Sequence, residues 1–406
     1  MKFVIISNLY PPLIRGGAEM VAAQEAEALK AAWQHVAVFT TKPKQIDIGG
    51  FNIKANNKLV WQDEVNGVSV YRFTPVNLFY YLDDYKFPAP VRLLWHLFDI
   101  FNIFSYFKIK KFLLAEKPDV VITHNLMGLG FLIPYLLRKM KIKHFHTLHD
   151  VQLYTPSGLI LKNQENHWQH RFFKLIAYPA LMKKLFASPA VIISPSRFLL
   201  NFYQERGFFP KSKLVLLPNP SPAPISFVRQ SSPNLELLYL GQVNEAKGIL
   251  KLIETMSKIH LPHLHLHIVG MGADLAKAKI LAKDDKRIIF HGWLPHKKLV
   301  PILSKVDVVV VPSLCYENSP LVVYESLSFG LPVLASDIGG VAELIKEGIN
   351  GWSFPADNWE VLADKINKLY SQRDKIRLLA PACRASVAQF SIKNYIDQIL
   401  SLAENE

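Results

Sequence analysis

The chain of 406 residues contains only two cysteines, Cys315 and Cys383. That is too few for a disulfide framework and fits a reducing compartment. No Asp-x-Asp occurs, and no His/Cys group has zinc-ligand spacing, so no catalytic metal is expected. Gly-x-Gly-x-x-Gly is also missing, which argues against a dinucleotide cofactor. No uninterrupted apolar run reaches the length of a membrane span. The apolar start, residues 1–7, is too short for a secretion signal and runs straight into Pro11-Pro12 and a Gly-Gly turn; it reads as a first strand. Acidic residues are scarce in one half only. Residues 1–218 carry 27 Lys/Arg against 14 Asp/Glu, and residues 219–406 carry 20 against 19. The net charge of +14 therefore sits almost wholly in the N-terminal half. Either that half faces something anionic, or it is a solvated basic surface with no partner.

Half of the residues are hydrophobic and mean hydropathy is +0.14, which places the chain among globular proteins. Its length exceeds one ordinary core and predicts two domains. Buried-strand patterns fall at 3–7, 36–40, 68–73, 120–123, 144–148 and 191–194. A Pro/Ser-rich stretch at 217–224 and 230–233 reads as a linker. The alternation then restarts at 235–240, 265–269, 287–291, 306–311 and 332–335. An amphipathic helix over 18–31 would place Val21, Ala22, Ala26 and Leu29 on one face. Strands spaced by helices imply parallel sheets with right-handed crossovers. The expected fold is α/β: two doubly wound domains with a hinge near residue 220 and a last helix over about 393–403.

The densest information lies in residues 312–340. A strand ends in a polar loop holding Glu317, and a helix follows with Ser319 as N-cap and Pro320 as first helical residue. Glu325 falls in its second turn. In an open α/β sheet ligands bind at the carboxyl ends of the strands, and helix N-termini hold phosphates there. The amides of Asn318, Ser319, Pro320's successor Leu321 and Val322 would take a diphosphate, and the two carboxylates would accept hydrogen bonds from sugar hydroxyls. The ordinary alternative is a capped structural helix with solvated glutamates. Three further loops sit at predicted strand ends. Gly16-Gly17 lets backbone approach a ligand closely. Gly241 and Gln242 lead to Lys247, a compact cation able to offset a leaving diphosphate. His149-Asp150 follows the strand at 144–148. Gly272, Gly292 and Leu294 close two more strands.

The block around Glu317 and Glu325, with Phe329-Gly-Leu-Pro-Val333 and Gly339-Gly340 behind it, resembles the glutamate-x7-glutamate motif of the retaining GT-B glycosyltransferases of family 4. The resemblance covers residues 10 to about 361. It implies two Rossmann-like domains, 1–218 on the acceptor side and 219–387 on the donor side, with a C-terminal helix (about 388–406) crossing back to the first. It implies a site in the cleft between them and transfer of a sugar from a nucleoside diphosphate to a hydroxyl, with no cofactor. Glu317 would contact the transferred sugar and Glu325 the ribose. Lys247 would hold the diphosphate, with Gly241 beside it. Gly16 and Gly17 would lie under the phosphates, His149 near the sugar, and Gly272, Gly292 and Leu294 around the nucleoside. The family usually has Arg where this chain has Gln242, which cannot neutralise charge. The competing readings are an inverting GT-B transferase with a base in the first domain, and a non-catalytic sugar-nucleotide or membrane-surface binding protein.

Residues 90–114 have the most unusual composition, aromatics interleaved with single polar residues and closed by Lys108, Lys110 and Lys111. They read as a helix, either interfacial on an anionic membrane or buried against the first-domain core. A second basic-apolar stretch lies at 181–186. The expected partners are a nucleotide sugar, a glycan or lipid-linked acceptor and an anionic membrane, with no nucleic acid. The expected location is the cytoplasmic face of the membrane.

Overall fold

The computed structural model describes residues 1–44, 46–48, 51–53, 61–162, 177–222, 227–230 and 232–405, with backbone alone at 46–48, 51–53 and 296–297. The chain divides into two units. The first takes in described residues of 1–158, 177–219 and 392–405, and the second those of 159–162 and 220–391. The Pro/Ser-rich stretch thus carries the chain out of the first unit, although residues 223–226 and 231 of it lie outside the described residues.

In the first unit the strands are β1 (Lys2–Ile6), β2 (His35–Thr41), β3 (Ile46–Ile48), β4 (Phe51–Ile53), β5 (Trp61–Val65), β6 (Val68–Phe73), β7 (Val120–Thr123), β8 (Lys143–Thr147), β9 (Val191–Ser194) and β10 (Lys213–Leu216). Eight of them form one sheet in the order β10-β9-β8-β7-β1-β2-β6-β5, and β3 and β4 pair separately. Apart from Lys2 and Thr123, β1 and β7 consist of buried apolar residues, the signature of strands covered on both faces. The helix Gly17–Ala31 packs Ala22, Ala26 and Leu29 against β1 and β2, and it also buries Val21, Glu19 and Glu25. The final helix, Ile392–Asn405, adds Tyr395, Ile396 and Ile399 to this core. It begins after Ser391, so residues 388–391 stay with the second unit.

The sheet is not wholly parallel: β5 pairs antiparallel with β6. The connection is Asn66-Gly67, with φ of +51° and +81°. Two residues in that conformation match the twist of a two-stranded hairpin.

The helix expected over 90–114 is two helices, Ala89–Ile100 and Ile103–Glu116. Asn102 breaks it, because its Oδ1 accepts from Ser105 N–H at 2.9 Å and so caps a new start. At 181–186 the structure corrects the expectation. Met182, Leu185 and Phe186 are buried in the helix Ala177–Phe186, so this stretch offers no apolar face.

In the second unit β11 (Leu235–Leu240), β12 (Leu264–Val269), β13 (Ile288–Gly292), β14 (Val308–Val311), β15 (Val333–Asp337) and β16 (Gly351–Pro355) form a parallel sheet ordered β13-β12-β11-β14-β15-β16. Alternate residues face opposite layers. Leu237, Val308 and Val310 pack with Ile253 and Leu362 on one side. Leu238, Val309 and Val311 pack with Val323, Leu327 and Cys383 on the other. The sheet order reverses at β11, between β12 and β14, which is where such a fold opens a binding crevice.

Candidate functional site

The loop after β14 meets the loop after β11 at the carboxyl edge of the second sheet. Gly248 has φ +72°, and a Cβ there would stand 1.8 Å from the Pro312 carbonyl oxygen. Only glycine permits that contact. It brings Lys247 against Glu317. The short 3-10 turn Glu245–Lys247 is capped by Asn244, whose Oδ1 accepts from Lys247 N–H at 3.0 Å. Lys247 Nζ then donates to Glu317 Oε1 at 2.5 Å, and the Ser313 hydroxyl donates to the same oxygen at 2.7 Å. Burial works against the Lys247 charge, but Glu317 outweighs it and holds the ammonium above its ordinary pKa. Behind Glu317, Gly340 N–H donates to its carbonyl at 2.7 Å.

The helix that follows is Leu321–Ser328. The expected cap is corrected: Pro320, in extended conformation, is the residue before the helix, and Ser319 stands one further back. The Ser319 hydroxyl meets the Tyr324 hydroxyl at 2.6 Å. Amides in the first turn of a helix have no carbonyl one turn earlier to bond, so Leu321 and Val322 mark the positive start of the dipole, in the segment that follows Glu317. Glu325 lies in the second turn, where burial pushes its carboxyl up to about 7.

The neighbouring loops are tied together by backbone. Gly270 N–H donates to Gly292 O at 2.8 Å, Gly241 N–H to Val269 O at 3.0 Å, and Val243 N–H to Met271 O at 2.9 Å. Gly241, Gly272 and Gly292 therefore stand along one edge. The Gln242 carbonyl accepts from Tyr239 OH at 2.5 Å, and its side-chain Oε1 from Asn244 Nδ2 at 3.2 Å. The Leu294 side chain is partly buried and packs against the core.

In the first unit, Gly16 N–H donates to Glu19 Oε2 at 2.8 Å, which fixes the start of the helix Gly17–Ala31. His149 follows β8, and its Nε2 lies 2.8 Å from His124 Nδ1, with the rings stacked at 5.1 Å. Glu25 Oε2 stands 3.2 Å from His124 Nε2, close but out of line for a hydrogen bond. Burial, reinforced by His124, holds His149 well below its ordinary pKa, so the imidazole is neutral. Burial also pushes Asp150 up to about 6, against the Gln152 amide and with help from Glu19.

Lys247, Glu317, Glu325, Gly241, Gln242, Gly272, Gly292 and residues 318–322 are gathered on the second unit, and Gly16, Gly17 and His149 on the first. Sequence reading passed over the Glu25–His124–His149 chain and its counterpart in the second unit. There Glu236 Oε2 lies 3.0 Å from His267 Nε2, and His267 Nδ1 lies 2.9 Å from His291 Nε2, at the root of the Gly292 loop. Glu25 was detectable as a charge on an otherwise apolar helix stripe. Glu236 and His267 were not, since both occupy alternating strand positions that read as solvent-facing. Among the described residues no three His, Cys, Asp or Glu side chains group to hold a metal ion.

Comparison with known proteins agrees with this architecture. The glycosyl transferase 4-like domain family matches residues 16–220, and the glycosyl transferases group 1 family matches residues 227–383. The chain belongs to the group 1 glycosyltransferases with a 4-like N-terminal domain, and its fold is GT-B. An uncharacterized 42.6 kDa protein in the cps region of Klebsiella pneumoniae is 24% identical over 347 residues, 85% of this chain and 87% of that protein. The lipopolysaccharide 1,2-N-acetylglucosaminetransferase of Salmonella typhimurium is 26% identical over 230 residues, 50% of this chain and 59% of that enzyme. Among solved structures, a sucrose-phosphate synthase from Thermosynechococcus elongatus superposes with a TM-score of 0.77 at 21% identity, covering 100% of this chain and 98% of its own. The Anabaena protein HepE, in complex with UDP, gives 0.68 at 17% identity with 100% of both chains covered.

Proposed function

We propose that this chain moves a sugar from a nucleoside diphosphate to a hydroxyl of a lipid-linked or polysaccharide-precursor acceptor, with retention of anomeric configuration, in cell-envelope or exopolysaccharide synthesis. The observation that carries the reading is the Lys247–Glu317 pair in the loop that leads into the helix Leu321–Ser328 at one sheet edge. A lysine ammonium has three donors, and Glu317 uses one. The others, with the first-turn amides, suit the diphosphate, whose negative charge grows as the C1–O bond breaks. Glu317 accepts from a hydroxyl of the transferred sugar, and Glu325 from the ribose. The new bond from the acceptor oxygen to C1 forms on the face the diphosphate leaves, and the acceptor proton passes to a departing phosphate oxygen. No metal is needed in this scheme, so activity should survive EDTA. The UDP in the Anabaena structure puts uridine nucleotides first among donors to test.

Identifying the product anomer by NMR tests the stereochemistry. An α-linked donor should give an α product. A β product would favour the inverting reading, for which neutral His149, paired with His124, is the candidate base.

Donor affinity should also depend on pH. Accepting two ribose hydroxyls favours the ionised carboxylate, whereas burial holds Glu325 protonated up to about pH 7. Binding must then release a proton below pH 7 and none above it. Affinity should rise by about tenfold between pH 6 and pH 8 and level off there. Calorimetric titration across that range checks this, and Glu325→Gln should flatten the profile. A profile unchanged by that substitution would remove Glu325 from the ribose site.

A further inference from the structure

We propose that the helices Ala89–Ile100 and Ile103–Glu116 form a docking surface for an anionic lipid bilayer. Their amphipathicity is inverted. The polar residues Asp99, Asn102 and Ser105 are buried, at 0%, 4% and 1% exposure. The large apolar residues Leu93, Phe98, Phe101, Phe104 and Phe107 are exposed by half or more. Leu94, Leu97 and Ile103 are exposed as well, so eight of the fifteen residues 93–107 are large apolar side chains open to solvent, a concentration and not a scatter.

The inward face is firmly tied down. Gly128 N–H donates to Asp99 Oδ2 at 2.8 Å, Trp95 Nε1–H to Phe79 O at 2.8 Å, and Asn102 Nδ2 to Val76 O at 3.1 Å. Ile109, Phe112 and Leu113 are buried. The outward apolar residues are therefore the settled arrangement of an anchored element.

Charge selects the occupant. The two helices contain Arg92, Lys108, Lys110 and Lys111, and their acidic residues are the buried Asp99 and the terminal Glu116, which is paired with Lys2 at 2.8 Å. Lys108 lies over the Phe73 ring at 5.1 Å, which leaves Arg92, Lys110 and Lys111 for an external partner. A second copy of this chain, docked through a two-fold axis, would set this basic patch against itself. An anionic bilayer takes both features at once. Phenylalanine and leucine enter the headgroup boundary, and the cations stay among lipid phosphates. Among the described residues no helix is long and apolar enough to cross a membrane, so the element lies along the interface. The docking stands on these residues alone. Its purpose, bringing the first unit to a lipid-linked acceptor, rests on the proposed transfer reaction.

Co-sedimentation with vesicles tests it, comparing neutral phosphatidylcholine with phosphatidylcholine containing phosphatidylserine at low and high salt. The wild-type chain should bind anionic vesicles at low salt, bind neutral ones at least tenfold more weakly, and lose affinity as salt rises. Phe98→Gln with Phe104→Gln should lower binding about tenfold. Lys110→Ala with Lys111→Ala should do so by about tenfold or more, at low salt chiefly. All four side chains lie outside the core, so Tm and nucleotide-sugar binding should be unchanged. Equal binding to both vesicles, none at low salt, or variants that bind as wild type would overturn the proposal. So would a dimer, seen by light scattering, that the Phe variants dissolve. Lost vesicle binding with donor binding intact removes the docking alone, and the converse removes the transfer reaction alone.

Discussion

Replacing Lys247 with alanine is expected to lower kcat/KM by about 30- to 1000-fold, the effect of losing roughly 2–4 kcal/mol of preorganised electrostatic stabilisation. Two consequences combine. The diphosphate loses a cation at the moment its charge grows. Glu317 loses the ammonium 2.5 Å from its Oε1 and keeps the Ser313 hydroxyl. A partly buried carboxylate stripped of its cation is also destabilising, so Tm should fall as well. Lys247→Arg separates the two effects. It keeps the charge beside Glu317 but replaces a compact ammonium with a planar fork, so it should recover most of the stability and only part of the rate. Steady-state kinetics with saturating acceptor measure this. A loss below threefold in folded Lys247→Ala would leave Gln242 and the helix amides as the whole phosphate site.

Gly339→Ala should act without touching any proposed ligand contact. Gly339 has φ +63°, and a Cβ would stand 2.2 Å from the Glu317 carbonyl oxygen. That oxygen accepts the Gly340 amide at 2.7 Å. The methyl would push the Glu317 loop away from β15 and from Lys247. Strain at an unsuitable φ combined with a backbone clash costs on the order of 2–3 kcal/mol. For a unit of this size that is a fall in Tm of roughly 4–12 °C. Donor affinity should fall with it, because Glu317 and the helix start move together. Thermal melting and donor titration on the same protein check both. A variant with unchanged Tm and unchanged donor affinity would show that the loop has more room than the structure gives it.

Buried strands declare themselves as short aliphatic runs, and all eleven expected strands are present. Of the strands missed, β10, Lys213-Leu-Val-Leu216, carries that signature and was passed over, whereas β5 and β16 lack it. β5, Trp61-Gln-Asp-Glu-Val65, alternates at a sheet edge, and Asn66-Gly67 was the readable hairpin signal. β16 begins with glycine and ends with proline, both poor strand residues alone. The break at Phe101-Asn102 was hidden because aromatics continue through it, and a cap shows only when the asparagine turns back to Ser105.

In the site, the local motifs were legible and the long-range pairings were not. Glu317 and Glu325 share one strand-loop-helix, so eight residues of sequence place both. Lys247 and Glu317 lie 70 residues apart, and only the adjacency of β11 and β14 brings them together. The same holds for His124 and His149, 25 residues apart and just past the carboxyl ends of the adjacent strands β7 and β8. Spacing in sequence carries no trace of such contacts.

The central claim is that the second unit holds a nucleoside diphosphate sugar through Lys247 and Glu325. Titrating the purified protein with UDP-, GDP- and ADP-sugars, beside Lys247→Ala and Glu325→Gln, tests it most directly. The account predicts that one nucleotide class binds wild-type protein, that Lys247→Ala weakens that binding by more than tenfold, and that Glu325→Gln removes its dependence on pH between 6 and 8. Binding of no sugar nucleotide by the folded wild-type protein, or equal binding by wild type and both variants, would contradict it.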